Sequence, residues 1–272
     1  MASGARKLIV TADDFGFTRD VNQGIVEAHR SGLVRATSLL ATGAAFEHAV
    51  ELARRTPSLD VGAHLALVGM PSALDGRRLP STPGALLLSL ALGHIDVYAE
   101  MAAQLERILR AGIRPSHLNT HKHTHLLPLV LEAIGRLARD YGICWIRRPF
   151  DTPGLVRTPA PWGARVGVSL LGLLRKGFDR RLARHGCRST DYFAGMLMTG
   201  RLDASDLIAL LMNLPAGTTE LMCHPGRCTG ELEAAPTRLK ASRERELRAL
   251  TSAEVLCALR RAGVELVSWR EL

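Results

Sequence analysis

The chain predicts an α/β fold: a distorted (β/α) TIM-like barrel with seven or eight mostly parallel strands. Three observations lead there. Short aliphatic runs alternate with stretches of helical apolar spacing, and a βαβα order with crossovers implies a parallel sheet. The length of 272 residues suits one barrel of roughly 250 residues. Polar and metal-ligating side chains recur just after the strand-like runs, at the end of a parallel barrel where active sites form. A hydrophobic content of 47% is ample for a large core, and with aromatics at only 4%, Leu, Ala and Val must fill it.

The elements follow in order. Leu8 to Val10 is a β-branched and aliphatic run that stops at Asp13-Asp14, so it reads as a buried first strand. Val21 to His29 has helical spacing, and Gly32 ends it. Ala36 to Ala41 reads as a strand, Ala45 to Arg55 as a helix and Asp60 to Leu65 as a third strand. Met70 to Gly84 is rich in Pro and Gly and reads as a loop. A helix is expected from Asp96 to Ala111, a strand from Ser116 to His121, and a helix from Pro128 to Asp140 with Pro in the first turn. Ile143 to Ile146 reads as a strand, Pro149 to Gly163 as irregular, and Val166 to Leu174 as a helix. Tyr192 to Met198 and Glu220 to Cys223 read as strands around a helix at Ala204 to Asn213. Leu239 to Leu250 and Ser252 to Ala262 read as helices, and Val264 to Ser268 as a last strand. No repeat or linker divides residues 1–272, so one domain is expected, with insertions near 68–95 and 150–190.

The formal charge is +9, from 35 Lys and Arg against 26 Asp and Glu. Such a balance favours anionic partners or an anionic membrane surface. There is no basic arm and no aromatic stacking pattern, which argues against nucleic acid. Cys144, Cys187, Cys223, Cys228 and Cys257 are odd in number and form no CxxC, consistent with reduced thiols in the cytoplasm. No signal-like segment opens the chain, and its longest apolar run, Ala85 to Leu92, is far short of the ~20 residues of a membrane span.

The chemistry-bearing residues fall at the strand ends. Asp13 and Asp14 end the first strand, His64 the third, and His121, His123 and His125 follow the fourth. Arg147 ends the fifth, and His224 follows Glu220 to Cys223. Two adjacent carboxylates repel unless a cation or proton is shared; alone, the pair reads equally well as a helix cap. In an extended chain His121, His123 and His125 share one face, whereas in a helix only His121 and His125 stack. An Asp and two His around a divalent ion leave positions open for water and substrate, and the imidazoles favour Zn, Ni, Co or Fe over Mg. Such an ion acidifies bound water and polarises a carbonyl. A second Asp can then take the proton and a later His can protonate the leaving group, which is a parts list for amide or ester hydrolysis. No Glu completes a zincin motif, and no Gly-x-Ser-x-Gly elbow, Walker loop or dinucleotide fingerprint is present.

Thr11 to Gly16, Val61 to Leu65, Ser116 to His125 and Glu220 to Pro225, in this order and spacing, resemble the YdjC/ChbG family of carbohydrate deacetylases. The tail, from Leu250-Thr251-Ser252-Ala253 through Trp269-Arg270, is similar too. The resemblance implies a (β/α) barrel, one divalent metal ion (zinc foremost; magnesium, cobalt or nickel as alternatives) and deacetylation of an N-acetylated sugar. It implies Asp14, His64 and His121 as metal ligands, Asp13 as catalytic base, His224 as acid or substrate contact, and Arg147 as a basic group beside the base. His123, His125, Asn119 and Lys122 are expected to bind substrate. Asn119 stands where the chitooligosaccharide members have Asp, and Lys122 replaces a His or Gln. Both departures resemble the hopanoid-associated HpnK branch, which implies an N-acetylglucosaminyl hopanoid lipid as substrate. Diacetylchitobiose is the alternative, and a non-catalytic metal- or sugar-binding regulator the alternative of another class. The lipid reading also gives the apolar stretches Ala85 to Leu92 and Val166 to Leu174 a role. Arg165, Arg175, Lys176, Arg180 and Arg181 surround the second, so both could meet the inner membrane face peripherally.

Overall fold

The computed structural model describes residues 4–155 and 162–272, without the side chains of 164 and 165. Its first half alternates strictly: β1 (Arg6–Phe15), α1 (Arg19–Ser31), β2 (Ala36–Leu39), α2 (Phe46–Arg55) and β3 (Asp60–Leu65). Then come α3 (Pro83–Ala91), α4 (Val97–Arg110), β4 (His117–Thr120), a 3-10 segment (His121–Leu126), α5 (Pro128–Asp140) and β5 (Trp145–Ile146). The second half holds α6 (Trp162–Gly172), α7 (Arg175–Arg184), β6 (Tyr192–Ala194), α8 (Ala204–Asn213) and β7 (Gly217–Cys223). It ends with α9 (Gly230–Ala234), α10 (Ala241–Thr251), α11 (Ala253–Ala262) and β8 (Glu265–Leu266).

All strand pairs are parallel, in the order β5-β4-β3-β2-β1-β7-β6. β8 pairs with Lys7 and Leu8 of β1, leaving Thr11 to Phe15 to pair with β2. The curled sheet is a distorted barrel, as expected, and the seam lies between β5 and β6. There the described residues show only one bridge, Trp145 to Arg188. Buried Leu, Val, Ala and Ile fill the core between sheet and helices. Near the other end of the strands, Trp269 packs with Ile9, Trp145 and Val267, stacks on His117 at 4.8 Å and donates from Nε1 to Thr11 Oγ1 at 3.2 Å. The tail thus completes the core.

Local chemistry sets the helix starts. Thr18 caps α1 and Asp96 caps α4 with side-chain oxygens, Asp203 and Asp206 form a capping box on α8, and Pro128 occupies the first turn of α5. The expected elements are present, with some strands shorter than read: β5 keeps two residues and β6 three. Three helices are not among the expected elements: α3, whose Ala85 to Leu92 reads in the sequence only as an apolar run, α7 and α9. α7 is so rich in Arg that its apolar positions, Phe178 and Leu182, form a thin stripe, and α9 is only five residues long. The expected irregular segment Pro149 to Gly163 lies partly outside the described residues, as does the side chain of Arg165.

The expectation for His121 to His125 needs correction. The segment is neither extended nor α-helical: Lys122 and His123 have φ of 53° and 52°, so the three imidazoles share no single face. Buried Thr120 causes part of this, because its Oγ1 accepts from His125 N at 3.0 Å and pulls the chain into a tight turn.

Trp269→Ala should destabilise the fold by about 3–5 kcal/mol, the range for emptying a buried aromatic site. Urea unfolding measures it; a loss below about 1 kcal/mol would mean that the tail is not part of the core.

Candidate active site

A bulge builds the site. Ala12 pairs with Thr37 and Phe15 with Leu39, so β1 carries one residue more than β2 across this interval. In a regular strand Asp13 and Asp14 would point to opposite faces. The extra residue, with Asp14 at φ 69°, lets both carboxylates line one cavity. The turn that follows requires Gly16, which has φ 97° and whose Cβ would lie 2.9 Å from the Leu40 carbonyl oxygen. Buried Asn22 accepts from Gly16 N at 2.6 Å and holds that turn to α1.

Each carboxylate has its own arginine. Arg147 donates from Nη1 to Asp13 Oδ2 at 2.5 Å and from Nη2 to Asp13 Oδ1 at 2.9 Å, and its Nε reaches Glu220 Oε1 at 2.8 Å. Arg243 Nη2 donates to Asp14 Oδ2. All five side chains are buried. Burial alone would raise both Asp carboxyls, but the arginines, aided by nearby histidines, outweigh it and hold both well below the usual carboxylate range. Glu220, which shares Arg147 with Asp13, stays raised by burial.

Asp14 Oδ1 is left without a hydrogen-bond partner. It lies 3.4 Å from His64 Nε2 and 3.2 Å from His121 Nδ1, and the two nitrogens are 3.3 Å apart. Ligand bonds of about 2.0–2.1 Å in a tetrahedral site separate the donor atoms by roughly 3.3 Å. The orphaned oxygen and the two imidazoles therefore fit a divalent cation. Burial disfavours a charged His64, yet the neighbouring carboxylates outweigh it and raise its pKa, as expected of a ring at a cation-sized gap between acids.

The amide of Asn119 sits 2.6 Å from His64 Nδ1. With its oxygen toward the ring it accepts the Nδ1 proton and donates to Ser38 Oγ at 2.7 Å, leaving Nε2 free to ligate. The opposite amide rotamer donates to Nδ1 and turns its oxygen to Ser38 and Arg147; it matches a ring protonated on Nε2.

The cavity has a volume of about 660 Å³. Asp13, Asp14, His64, His121, Lys122, His123 and His224 all line it, with Arg243, Phe17 and Met222. Asn119 and His125, expected to bind substrate, do not. Both are fully buried; Asn119 backs His64, and both ring nitrogens of His125 are engaged, with Thr120 Oγ1 and the Arg147 carbonyl. Arg147 is likewise sealed from the cavity, so its place is behind Asp13 and not against substrate. His224 is nine-tenths buried with Nδ1 unpartnered, and burial lowers its pKa to about 4.

Arg243, Glu220 and Glu246 escaped the sequence reading. Glu246 accepts from His224 N at 2.6 Å and from Gly200 N at 3.1 Å, so α10 holds both Asp14 and the His224 backbone. Their signal was available. Arg243, Glu246, Leu247 and Leu250 follow helical spacing on one face, and Glu220 is a charged residue directly before the apolar run Leu221 to Cys223 of a strand.

The YdjC-like protein family model matches residues 7–261. A carbohydrate deacetylase of Vibrio vulnificus (strain YJ016) is 32% identical over 274 residues, covering 98% of this chain and 96% of its own. A carbohydrate deacetylase of Homo sapiens is 33% identical over 302 residues, covering 100% and 93%. The crystal structure of a candidate cellobiose-phosphate cleavage protein from Enterococcus faecalis V583 superposes with a TM-score of 0.75 at 25% identity, covering 98% of each chain.

Burial, opposed by the two backbone N–H bonds, pushes the Glu246 carboxyl from 4.5 up to about 7. A carboxyl raised on folding contributes stability that is full below its unfolded pKa and is lost as pH rises through its folded one. Glu246→Gln should therefore remove this group's own contribution, of order 3 kcal/mol, to the change in stability between pH 4.5 and about 7. Urea unfolding of both proteins across this window reads the difference; parallel curves would refute it.

Proposed function

Because this chain belongs to the YdjC-like family, we propose that it is a metal-dependent hydrolase that removes acetyl from an N-acetylglucosaminyl substrate. The observation that carries the reading is the triangle of Asp14 Oδ1, His64 Nε2 and His121 Nδ1, with Asp13 fixed beside it by Arg147. A divalent ion, zinc foremost for two imidazoles and one carboxylate, supplies Lewis acidity and a water of lowered pKa when bound there.

The chain's own residues do the rest. Arg147 keeps Asp13 ionised and fixed, so Asp13 accepts a proton from the attacking water. The water oxygen bonds to the acetamide carbon, the C–N bond breaks, and acetate leaves a free amine. Burial keeps His224 neutral at neutral pH, so it enters as an N–H group and not as a preformed imidazolium. The proton taken up by Asp13 is the one available for His224 to pass to the departing nitrogen. Lys122 and His123 extend the cavity wall beyond the ligand triangle and contact the sugar.

Asp13→Asn should lower deacetylase activity by about 10²- to 10⁴-fold, the usual range for a lost general base. Its metal content, measured by elemental analysis, should not change. Full activity in that variant would rule out Asp13 as the base. Chelation should abolish activity, and one equivalent of zinc should restore it; activity indifferent to chelation would remove the metal.

For the substrate, the HpnK-like Asn119 and Lys122 favour an N-acetylglucosaminyl hopanoid. So does α3, a helix without charged side chains that begins two residues after cavity-lining Ser81. The second reading, a soluble chitooligosaccharide, draws on relatives named carbohydrate deacetylase. Acetate release should be faster from the N-acetylglucosaminyl hopanoid than from diacetylchitobiose, both assayed side by side. Equal or faster turnover of diacetylchitobiose would reverse the choice.

A further inference from the structure

We infer that α3 and α6 form a docking surface for an anionic lipid bilayer beside the mouth of the cavity. The inference deepens the glycolipid reading and rests on it for its purpose. Neither helix is needed as a crossover: α4 packs on α5 and α5 on α7, completing the wall outside the strands. α3 is inserted after β3 and α6 after β5. These two strands flank β4, whose end carries the His121 to Leu126 turn, so both extra helices leave the sheet around the site.

Their composition is wrong for water. α3 buries only Leu86, yet Leu87, Leu88 and Leu92 are 56%, 63% and 58% exposed. Single exposed leucines are ordinary, but a helix with no charged side chain at a cavity rim is not. On α6 Trp162, and just after the helix Leu173, are 81% and 79% exposed and line a hollow with Val166, Ser169 and Leu170.

Charge selects the occupant. α7 follows at once with Arg175, Lys176, Arg180, Arg181 and Arg184 against the single acid Asp179. At the cavity, Arg78 and Lys122 are exposed and form no ion pair among the described residues. Apolar side chains bordered by cations suit an anionic interface, where the leucines and Trp enter the acyl boundary and the cations meet headgroups. A second copy of this chain fits worse, because a two-fold contact would bring like-charged α7 helices together.

The test is flotation with vesicles of phosphatidylcholine alone and of phosphatidylcholine with phosphatidylglycerol. The protein should float with the anionic vesicles and be released by salt. Leu87→Ser/Leu88→Ser/Leu92→Ser should weaken this about tenfold or more, from the loss of apolar burial. Trp162→Ser/Leu173→Ser should weaken it as well. Both variants should keep the metal content and melting temperature of the unaltered protein, since the replaced side chains are mostly exposed. No flotation with anionic vesicles, or equal flotation of the variants, overturns the inference. So does self-association that the leucine substitutions abolish without any vesicle binding. Flotation without acetate release from an N-acetylglucosaminyl lipid keeps the docking surface and rejects the glycolipid substrate.

Discussion

Two adjacent, almost fully buried carboxylates at the wall of a cavity are the constraint on which the rest of the structure depends. Ionised carboxylates are costly to bury, and side by side they repel. The fold answers with one arginine for each. Arg147 arrives from the end of β5 and grips both oxygens of Asp13; Arg243 arrives from α10 and takes one oxygen of Asp14. These partners lie 134 and 229 residues away in sequence, so only the curled α/β arrangement brings them together. A buried arginine then needs its own compensation, and Glu220 within β7 meets the remaining face of Arg147. Removing either arginine leaves a buried carboxylate without its cation, which is why such networks are costlier to break than to lack.

The bulge in β1 turns that electrostatic arrangement into a site. It orients Asp13 and Asp14 into the same cavity and leaves Asp14 Oδ1 facing His64 and His121. Behind these, Asn119 fixes the His64 ring, and α10 fixes both Arg243 and, through Glu246, the backbone of His224. The strained residues Asp14, Lys122 and His123 all belong to this region. Left-handed backbone at non-glycine positions persists only where surrounding contacts over-determine it. Here the contacts are the ion pairs of Asp14 and the Thr120 to His125 hydrogen bonds.

Much of this was legible in the sequence because a parallel barrel converts order along the chain into position. Aliphatic runs ending in Asp13-Asp14, His64, His121 and His224 identify strand ends, and strand ends share one face. What stayed hidden depended on geometry finer than periodicity. Nothing in Asp13-Asp14 announces a bulge, and nothing in the His121 to His125 repeat says that Thr120 will coil it. The family resemblance implied Asn119 and His125 as substrate contacts; both instead spend their polar atoms on His64, Thr120 and Arg147. Arg243 and Glu246 share a helical face with Leu247 and Leu250, which marks them as buried, but their partner shows only once the buried Asp14 creates a demand for a cation.

The two arginines also divide the labour of the carboxylates. Arg243 occupies Asp14 Oδ2, so Asp14 can offer only Oδ1 to a cation. Arg147 holds both oxygens of Asp13 and lowers its basicity. A base this weak takes a proton efficiently only from a water whose own acidity has been raised, since proton transfer follows the difference in pKa. In its proposed role as base, Asp13 is therefore matched to a water beside the Asp14, His64 and His121 triangle and poorly matched to bulk water. Fixed orientation and chemical dependence on the neighbouring site come from the same guanidinium, and adjacency of Asp13 to Asp14 is what makes that dependence local.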